Sequence, residues 1–263
     1  MFDAYLSRWQ LQRDGEVIST HSSQLLPVRY QNISAMLKIA TSDEERWGAS
    51  LMVWWNGDGA APVLLHEGDA LLMERALGTV SLIEMAESGH DDQASRIICS
   101  VVKKLHAHKD NPPKLLPLTL WFKSLETAAS QLGGFFSQAL ALANELLSEP
   151  QDLVVLHGDI HHGNILDFGS RGWLAIDPKH LIGERSFDYA NLFSNPNQTL
   201  ATQSGRLSQQ VEIIADAAQL DKKRLLKWIL AYSALSAAWS IEDGDSPDLA
   251  LAVGELATIE LRK

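Results

Sequence analysis

Apolar positions along the chain change their period near residue 76. Before that point they come in short alternating or β-branched runs. Residues 16–20, 24–30 and 35–40 read as strands, separated by the polar breaks THSS and YQNIS. A helix follows. Ser42 can cap it, Glu45 stands at capping-box spacing, Trp47, Leu51 and Trp54 recur at roughly helical intervals, and Asn56-Gly57 supplies the stop. Two more strands, 63–66 and 70–73, turn through EGD. Beyond the break the period is helical. Asp91 or Asp92 can start a helix running to about His106, with Ile97, Ile98, Val101, Val102 and Leu105 on one stripe. A second helical region covers 124–148, broken at Gly133-Gly134. LVVLH then reads as a buried strand, and NILDF and WLAID as two short strands joined by GSRG. Everything after Phe187 reads as helical, closing with helices over 222–240 and from Asp248 onward.

This pattern predicts an α+β protein in two parts. A β-rich lobe of about five strands and one helix occupies 1–76, and a larger, mostly helical lobe occupies 77–263. A ligand site is expected in the cleft between them.

Composition adds exclusions. Twenty-two Lys and Arg against 33 Asp and Glu leave a net charge of −11, which suits cationic ligands and disfavours nucleic acid. No apolar stretch approaches the ~20 residues that span a bilayer. The start, MFDAYLSRWQ, lacks the basic-then-apolar order of a signal peptide. A cytoplasmic protein without a membrane partner is therefore expected. Cys99, the one cysteine, rules out a disulfide framework and a thiolate metal cluster; within IICSVV it reads as a buried, inert thiol. Most of the eight tryptophans, including Trp47, Trp54 and Trp228, read as core.

The most informative segment is His157-Gly158-Asp159-Ile160-His161-His162-Gly163-Asn164, of form H-x-D-x-x-x-x-N, directly after a predicted strand. Asp177-Pro178 stands thirteen residues past Asn164. Upstream, Lys38 sits inside the apolar strand MLKI, and Glu45 lies one turn into the next helix. Alone, Lys38 can simply reach its ammonium to solvent, and Glu45 can be only a capping residue. Together these residues resemble the parts that phosphoryl transfer needs: a lysine for the phosphates, a glutamate holding that lysine, oxygen ligands for Mg²⁺, and a carboxylate to orient the attacking hydroxyl. A histidine-centred metal site built on His157, His161 and His162 is the competing reading, as is a metallophosphoesterase. Both lack a second set of ligands elsewhere in the chain.

The wording HGDIHHGN, with D-P in place of D-F-G, resembles the aminoglycoside phosphotransferase family. SRGWLAIDPKHLIGERSFDYANLFSNP, with AMLKIA and WWNGDGA upstream, resembles its streptomycin 6-kinase and hydroxyurea-resistance kinase branch, over nearly the whole chain. The resemblance implies a bilobal protein-kinase-like fold that uses ATP and Mg²⁺. It implies Asp159 as catalytic base, Asn164 and Asp177 as Mg²⁺ ligands, and Lys38 on the ATP phosphates, paired with Glu45. It implies a hinge at Met73, Glu74 and Ala76 that would hydrogen-bond the adenine. No G-x-G-x-x-G precedes Lys38, so the loop Thr20-His21-Ser22-Ser23 is expected to cover the phosphates, with Ser22 and Ser23 as its contacts. His157 and Asp188 are expected to support the catalytic loop. The acidic segment Glu242, Asp243, Asp245, Asp248 is by default a solvated loop. By the resemblance, Asp243 and Asp245, with Trp239, would face a cationic substrate.

The implied reaction is ATP-dependent phosphorylation of a hydroxyl on a streptomycin-like aminoglycoside. The absence of a protein-kinase activation segment after Asp177 favours a small substrate. The alternatives are another small acceptor (a sugar, an amino alcohol or hydroxyurea) and a non-catalytic nucleotide-binding module, which retention of Asp159, Asn164 and Asp177 argues against.

Overall fold

The computed structural model describes residues 1–20 and 22–263; His21, in the expected phosphate-covering loop, lies outside the described residues. The first element is a helix, α1 (Phe2–Arg8), which the sequence pattern did not indicate. It is only two turns long and buries a single residue, Phe2, so it carries no readable period. Six antiparallel strands follow in one sheet: β1 (Gln12–Arg13), β2 (Ile18–Ser19), β3 (Ser23–Tyr30), β4 (Ile33–Ala40), β5 (Val63–Glu67) and β6 (Ala70–Glu74). The order is β1-β3-β4-β6-β5, with β2 paired to the start of β3. The expected strand over 16–20 contracts to the two exposed residues of β2.

Alternation along β4 sets the faces. Ala35, Leu37 and Ile39 pack with Phe2, Leu11, Leu26 and Val28 on the outer face. Met36 and Lys38 therefore point to the other face. There α2 (Asp43–Trp55) crosses the sheet. Ser42 caps it by accepting the Glu45 N–H, and Asn56 ends it in the left-handed conformation. The buried stripe of α2 is Glu45, Gly48, Ala49, Leu51, Met52 and Trp55. Trp47 is a correction to the core expectation: it is 50% exposed, with its ring 4.5 Å from that of His180. It lies roughly a third of a turn from the centre of the stripe, on the helix flank.

The connection to the helical part is stitched down on both sides. Arg75 N donates to Ser34 O (3.0 Å) and Gly78 N to Asp167 O (2.9 Å). The helices are α3 (Leu82–Met85), α4 (Asp91–Leu105), α5 (Leu118–Trp121, after the short strand β7, Leu116–Pro117), α6 (Lys123–Leu132) and α7 (Gly134–Ser148), with the expected break between α6 and α7 at Gly133. The β island contributes β8 (Leu153–Leu156), β9 (Ile165–Asp167), β10 (Trp173–Ala175) and β11 (Leu181–Glu184). The ten-residue 3₁₀ segment Arg185–Ser194 follows, then α8 (Gln198–Ala201), α9 (Arg206–Ala218), α10 (Lys222–Asp243) and α11 (Asp248–Leu261). Helix α10 runs through the centre of the core, with Trp228, Ile229, Ala231, Ala234 and Leu235 buried. Cys99 is buried on α4, and burial pushes its thiol up to about 12, in keeping with an inert side chain. No helix among the described residues is long and apolar enough to cross a membrane.

The island departs from expectation in one way that matters. β9 and β10 form the predicted hairpin, but β8 pairs with β11, which the sequence reading missed. β8 is only half-buried, with Leu153 exposed. β11 carries Gly183, where a Cβ would sit 2.9 Å from Leu118, and this glycine interrupts the apolar signal. The pairing lays the loop 157–164, from β8 to β9, beside the loop 176–180, from β10 to β11. Helix α2 closes on the second loop so tightly that a Cβ on Gly48 would stand 2.3 Å from the Pro178 carbonyl oxygen.

That contact reverses an ordinary expectation. Gly to Ala inside a helix normally gains about 1 kcal/mol. Here Gly48→Ala should lose about 1–3 kcal/mol, because α2 or the Pro178 backbone has to shift. Thermal or denaturant unfolding checks the sign: an unchanged or raised midpoint would mean that the contact yields freely.

Candidate active site

The loop 157–164 is held from below by one buried carboxylate. Asp188, in the 3₁₀ segment, accepts the His157 N–H (2.9 Å) on Oδ2 and the Gly158 N–H (2.7 Å) on Oδ1, while His106 Nε2 lies 2.7 Å from Oδ2. Gly158 has φ +82, and a Cβ there would meet Leu181 at 2.8 Å, so the turn is closed to larger residues. His157 is fully buried. Its Nε2 donates to Ile176 O (2.8 Å), which ties the two site loops together, and its Nδ1 accepts the Asp159 N–H (3.3 Å). Burial lowers its pKa against the pull of Asp188 and Asp159. Both ring nitrogens of His157 are thus engaged inside the loops.

Asp159 is part-exposed at the cleft. Its Oδ1 accepts Asn191 Nδ2 (2.9 Å) and its Oδ2 accepts Asn164 Nδ2 (3.3 Å), which also bonds the Asp159 carbonyl (2.9 Å). Across from it, Lys38 pairs with both Glu45 and Asp177. Burial pushes the Asp177 carboxyl up, but the charge and hydrogen bond of Lys38 outweigh it and hold the group below its ordinary range. Asp177 has φ +65 immediately before Pro178, a left-handed conformation rare before proline. Such strain persists where the surroundings impose it and marks sites of function.

Sequence reasoning missed Lys179. Its ammonium lies 2.9 Å from Glu44 and 3.6 Å from Glu45. Burial opposes its charge, but Glu44, Asp177 and Asp159 raise its pKa above the ordinary lysine value. Two lysines and three carboxylates thus form one connected network. Asn191 was missed as well, although it stands three residues after Asp188.

The cavity beside Lys38 is lined by Ser23, Leu25, Met52, Leu71, Met73 and Ile176, among others. Ser23 is buried and its hydroxyl has no partner among the described residues, whereas the Ser22 hydroxyl donates to Glu45 Oε1 (2.8 Å). At the hinge, Glu74 N donates to Pro62 O (2.9 Å) and Arg75 N to Ser34 O (3.0 Å), so neither amide faces the cavity. The Glu74 carboxylate is paired with Arg171.

Asn164 and Asp177 lie on neighbouring stretches of chain, Ile176 N donating to Asn164 O (2.9 Å). The Asn164 amide nitrogen is committed to Asp159, which leaves its oxygen for a cation, and Asp177 offers a carboxylate. This donor set fits Mg²⁺. The histidine alternative does not assemble. Among the described residues no three His, Cys, Asp or Glu groups are placed to hold a metal. His161 Nδ1 accepts the Gly163 N–H (3.0 Å), and His162 is buried near Asp91.

Further out, α10 carries Tyr232, whose phenol pKa is raised by burial and by the charge of Asp159. Trp239 follows two turns later, its ring 6.3 Å from Tyr232 and 5.5 Å from Trp121. Asp243 and Asp245 lie past the end of this wall and are exposed, while Glu242 accepts from Ser124 (2.7 Å). Asp243 is roughly 16 Å along the helix from Tyr232, at 1.5 Å per residue. The structure therefore gathers Lys38, Glu45, Asp159, Asn164, Asp177 and Asp188, and leaves Asp243 and Asp245 at a distance.

The chain has relatives among proteins of known activity. A family model described as aminoglycoside/hydroxyurea antibiotic resistance kinase matches residues 8–244. Streptomycin 3''-kinase of Klebsiella pneumoniae is 47% identical, over 91% of this chain and 92% of that protein. Streptomycin 6-kinase of Streptomyces griseus is 31% identical, over 97% and 86%. Among solved structures, the aminoglycoside phosphotransferase APH(4)-Ia, in complex with AMP-PNP and hygromycin B, superposes with a TM-score of 0.69 at 12% identity, covering 98% of this chain and 97% of that one. Choline kinase LicA of Streptococcus pneumoniae gives 0.66 at 13%, covering 99% and 97%. These two share the bilobal protein-kinase-like fold. With a family model spanning nearly its whole length, and relatives that are hydroxyl-directed phosphotransferases, this chain belongs to the aminoglycoside/hydroxyurea antibiotic resistance kinase family.

Proposed function

We propose that this kinase transfers the γ-phosphoryl group of ATP to a hydroxyl of streptomycin, and that the hydroxyl is the 3'' one. The observation that carries the reaction is Asp159, a part-exposed carboxylate with each oxygen held by an amide. The choice of hydroxyl rests on the greater identity to the 3''-kinase than to the 6-kinase.

In this reading residues 1–76 form the nucleotide lobe and 77–263 the catalytic and substrate lobe. The adenine lies against Met73. Of the amides at Glu74, Arg75 and Ala76, the first two are engaged in the sheet, so Ala76 N–H is the hinge donor. The Ser23 hydroxyl and Lys38 meet the phosphates, and Ser22 acts by steadying Glu45, which keeps Lys38 extended. Asn164 and Asp177 hold Mg²⁺, which when bound neutralises phosphate charge. Asp159 orients the acceptor hydroxyl and takes its proton as the oxygen bonds the γ-phosphorus and the bond from that phosphorus to the β–γ bridging oxygen breaks, releasing ADP. The flat face of Trp239 supports a substrate sugar, and Asp243 and Asp245 attract the guanidinium groups at longer range.

Asp159→Asn should lower kcat by roughly 10²–10⁴ with ATP binding nearly intact; near-normal turnover would remove Asp159 from this role. Phosphorus-correlated NMR of the product is expected to place the phosphate on the 3'' oxygen. A 6-phosphate would overturn the regiochemistry, and turnover of hydroxyurea or neutral alcohols alone would overturn the substrate class. Trp239→Ala should raise KM for streptomycin about tenfold with KM for ATP unchanged. Asp243→Asn with Asp245→Asn should weaken the salt dependence of that KM, because distant exposed charges are screened beyond ~8 Å at physiological ionic strength.

A further inference from the structure

A carboxylate that must accept a proton along one direction needs its plane fixed, and the last torsion of an aspartate is soft. In Asp159 hydrogen bonds do the fixing. The bond from Asn164 to Oδ2 is long, at 3.3 Å, and Asn164 has a second partner in the Asp159 carbonyl. The shorter bond to the carboxylate, 2.9 Å to Oδ1, comes from Asn191.

An asparagine can present either its nitrogen or its oxygen, and an oxygen turned toward Asp159 would repel it. The sense of the Asn191 amide is set by Asn195. The Asn195 Nδ2 donates to Asn191 Oδ1 (3.1 Å) and to the Asn191 carbonyl (2.9 Å). With its oxygen engaged there, Asn191 turns its nitrogen to Asp159. Asn195 is itself held at the end of the 3₁₀ segment, its N–H donating to Leu192 O (3.2 Å). The same segment carries Asp188, which grips the backbone at His157 and Gly158. One short element therefore fixes both the position of the loop and the direction of its reactive side chain.

We infer that Asn191 is a positioning residue that aims the Asp159 carboxylate at the acceptor hydroxyl, and that Asn195 sets the sense in which Asn191 acts. The inference rests on the reading of Asp159 as the base.

Asn191→Leu keeps the side-chain volume and removes the donor. Its kcat should fall about 10–100-fold while KM for ATP and for streptomycin stays within about threefold. Asn195→Ala lies one step removed and should lower kcat about 3–10-fold with the same unchanged KM values. It also tests the idea if Asn191→Leu does not fold. The deciding measurement is the double variant. Added to Asp159→Asn, Asn191→Leu should leave the residual rate unchanged within about twofold, since groups acting as one unit are not additive. An equal further loss in that background would mean that Asn191 acts elsewhere, and full kcat in both single variants would also overturn the inference. Failure of the underlying reading looks different: Asp159→Asn alone would then turn over normally.

Discussion

The arrangement depends on Lys38 being shared between Glu45 and Asp177. The lysine comes from the sheet, the glutamate from α2, and the aspartate from a loop of the helical part. The side chains of Lys38 and Glu45 are 12% and 3% exposed, so each charge would be costly without its partner. Removing one member of such a buried pair typically costs about 3–5 kcal/mol, since the other is left uncompensated. The network is also over-supplied with carboxylates, even with Lys179 included. An incoming polyphosphate adds more negative charge to it. The surplus is what an added cation would offset.

The second layer is a set of hydrogen bonds to loop backbone. Asp188 satisfies two loop amides, and His157 joins the two site loops through the Ile176 carbonyl. The glycines mark where backbones meet: Gly158 against Leu181, Gly183 against Leu118, and Gly48 against Pro178. Rate-determining geometry here is built from hydrogen bonds to backbone and from close packing, which tolerate little displacement.

Much of this was legible in the sequence, for identifiable reasons. Lys38, Glu45, Asp159, Asn164, Asp177 and Asp188 sit at fixed spacings within short motifs, and local spacing survives folding. The strand alternation around Leu37-Lys38-Ile39 also shows which way the lysine points. What was not legible depends on contacts distant in sequence. Strand β11 is interrupted by Gly183, whose reason is Leu118. The exposure of Trp47 follows from where α2 docks, which its own period does not reveal. Lys179 and Asn191 are ordinary polar residues until Glu44 and Asp159 are brought beside them. Helix α1 is too short to show a period at all.

The stitched connection between the lobes has a mechanical consequence. Arg75 is bonded to the sheet, Gly78 to Asp167, and Glu74 to Arg171, while a Cβ on Gly78 would fall 1.9 Å from the Asp167 side chain. The connection and the β9–β10 hairpin therefore travel as one piece, like the spine of a book. Any change in the angle between the covers has to be taken up at the fore-edge, where α2 meets Pro178 and Lys38 meets Asp177.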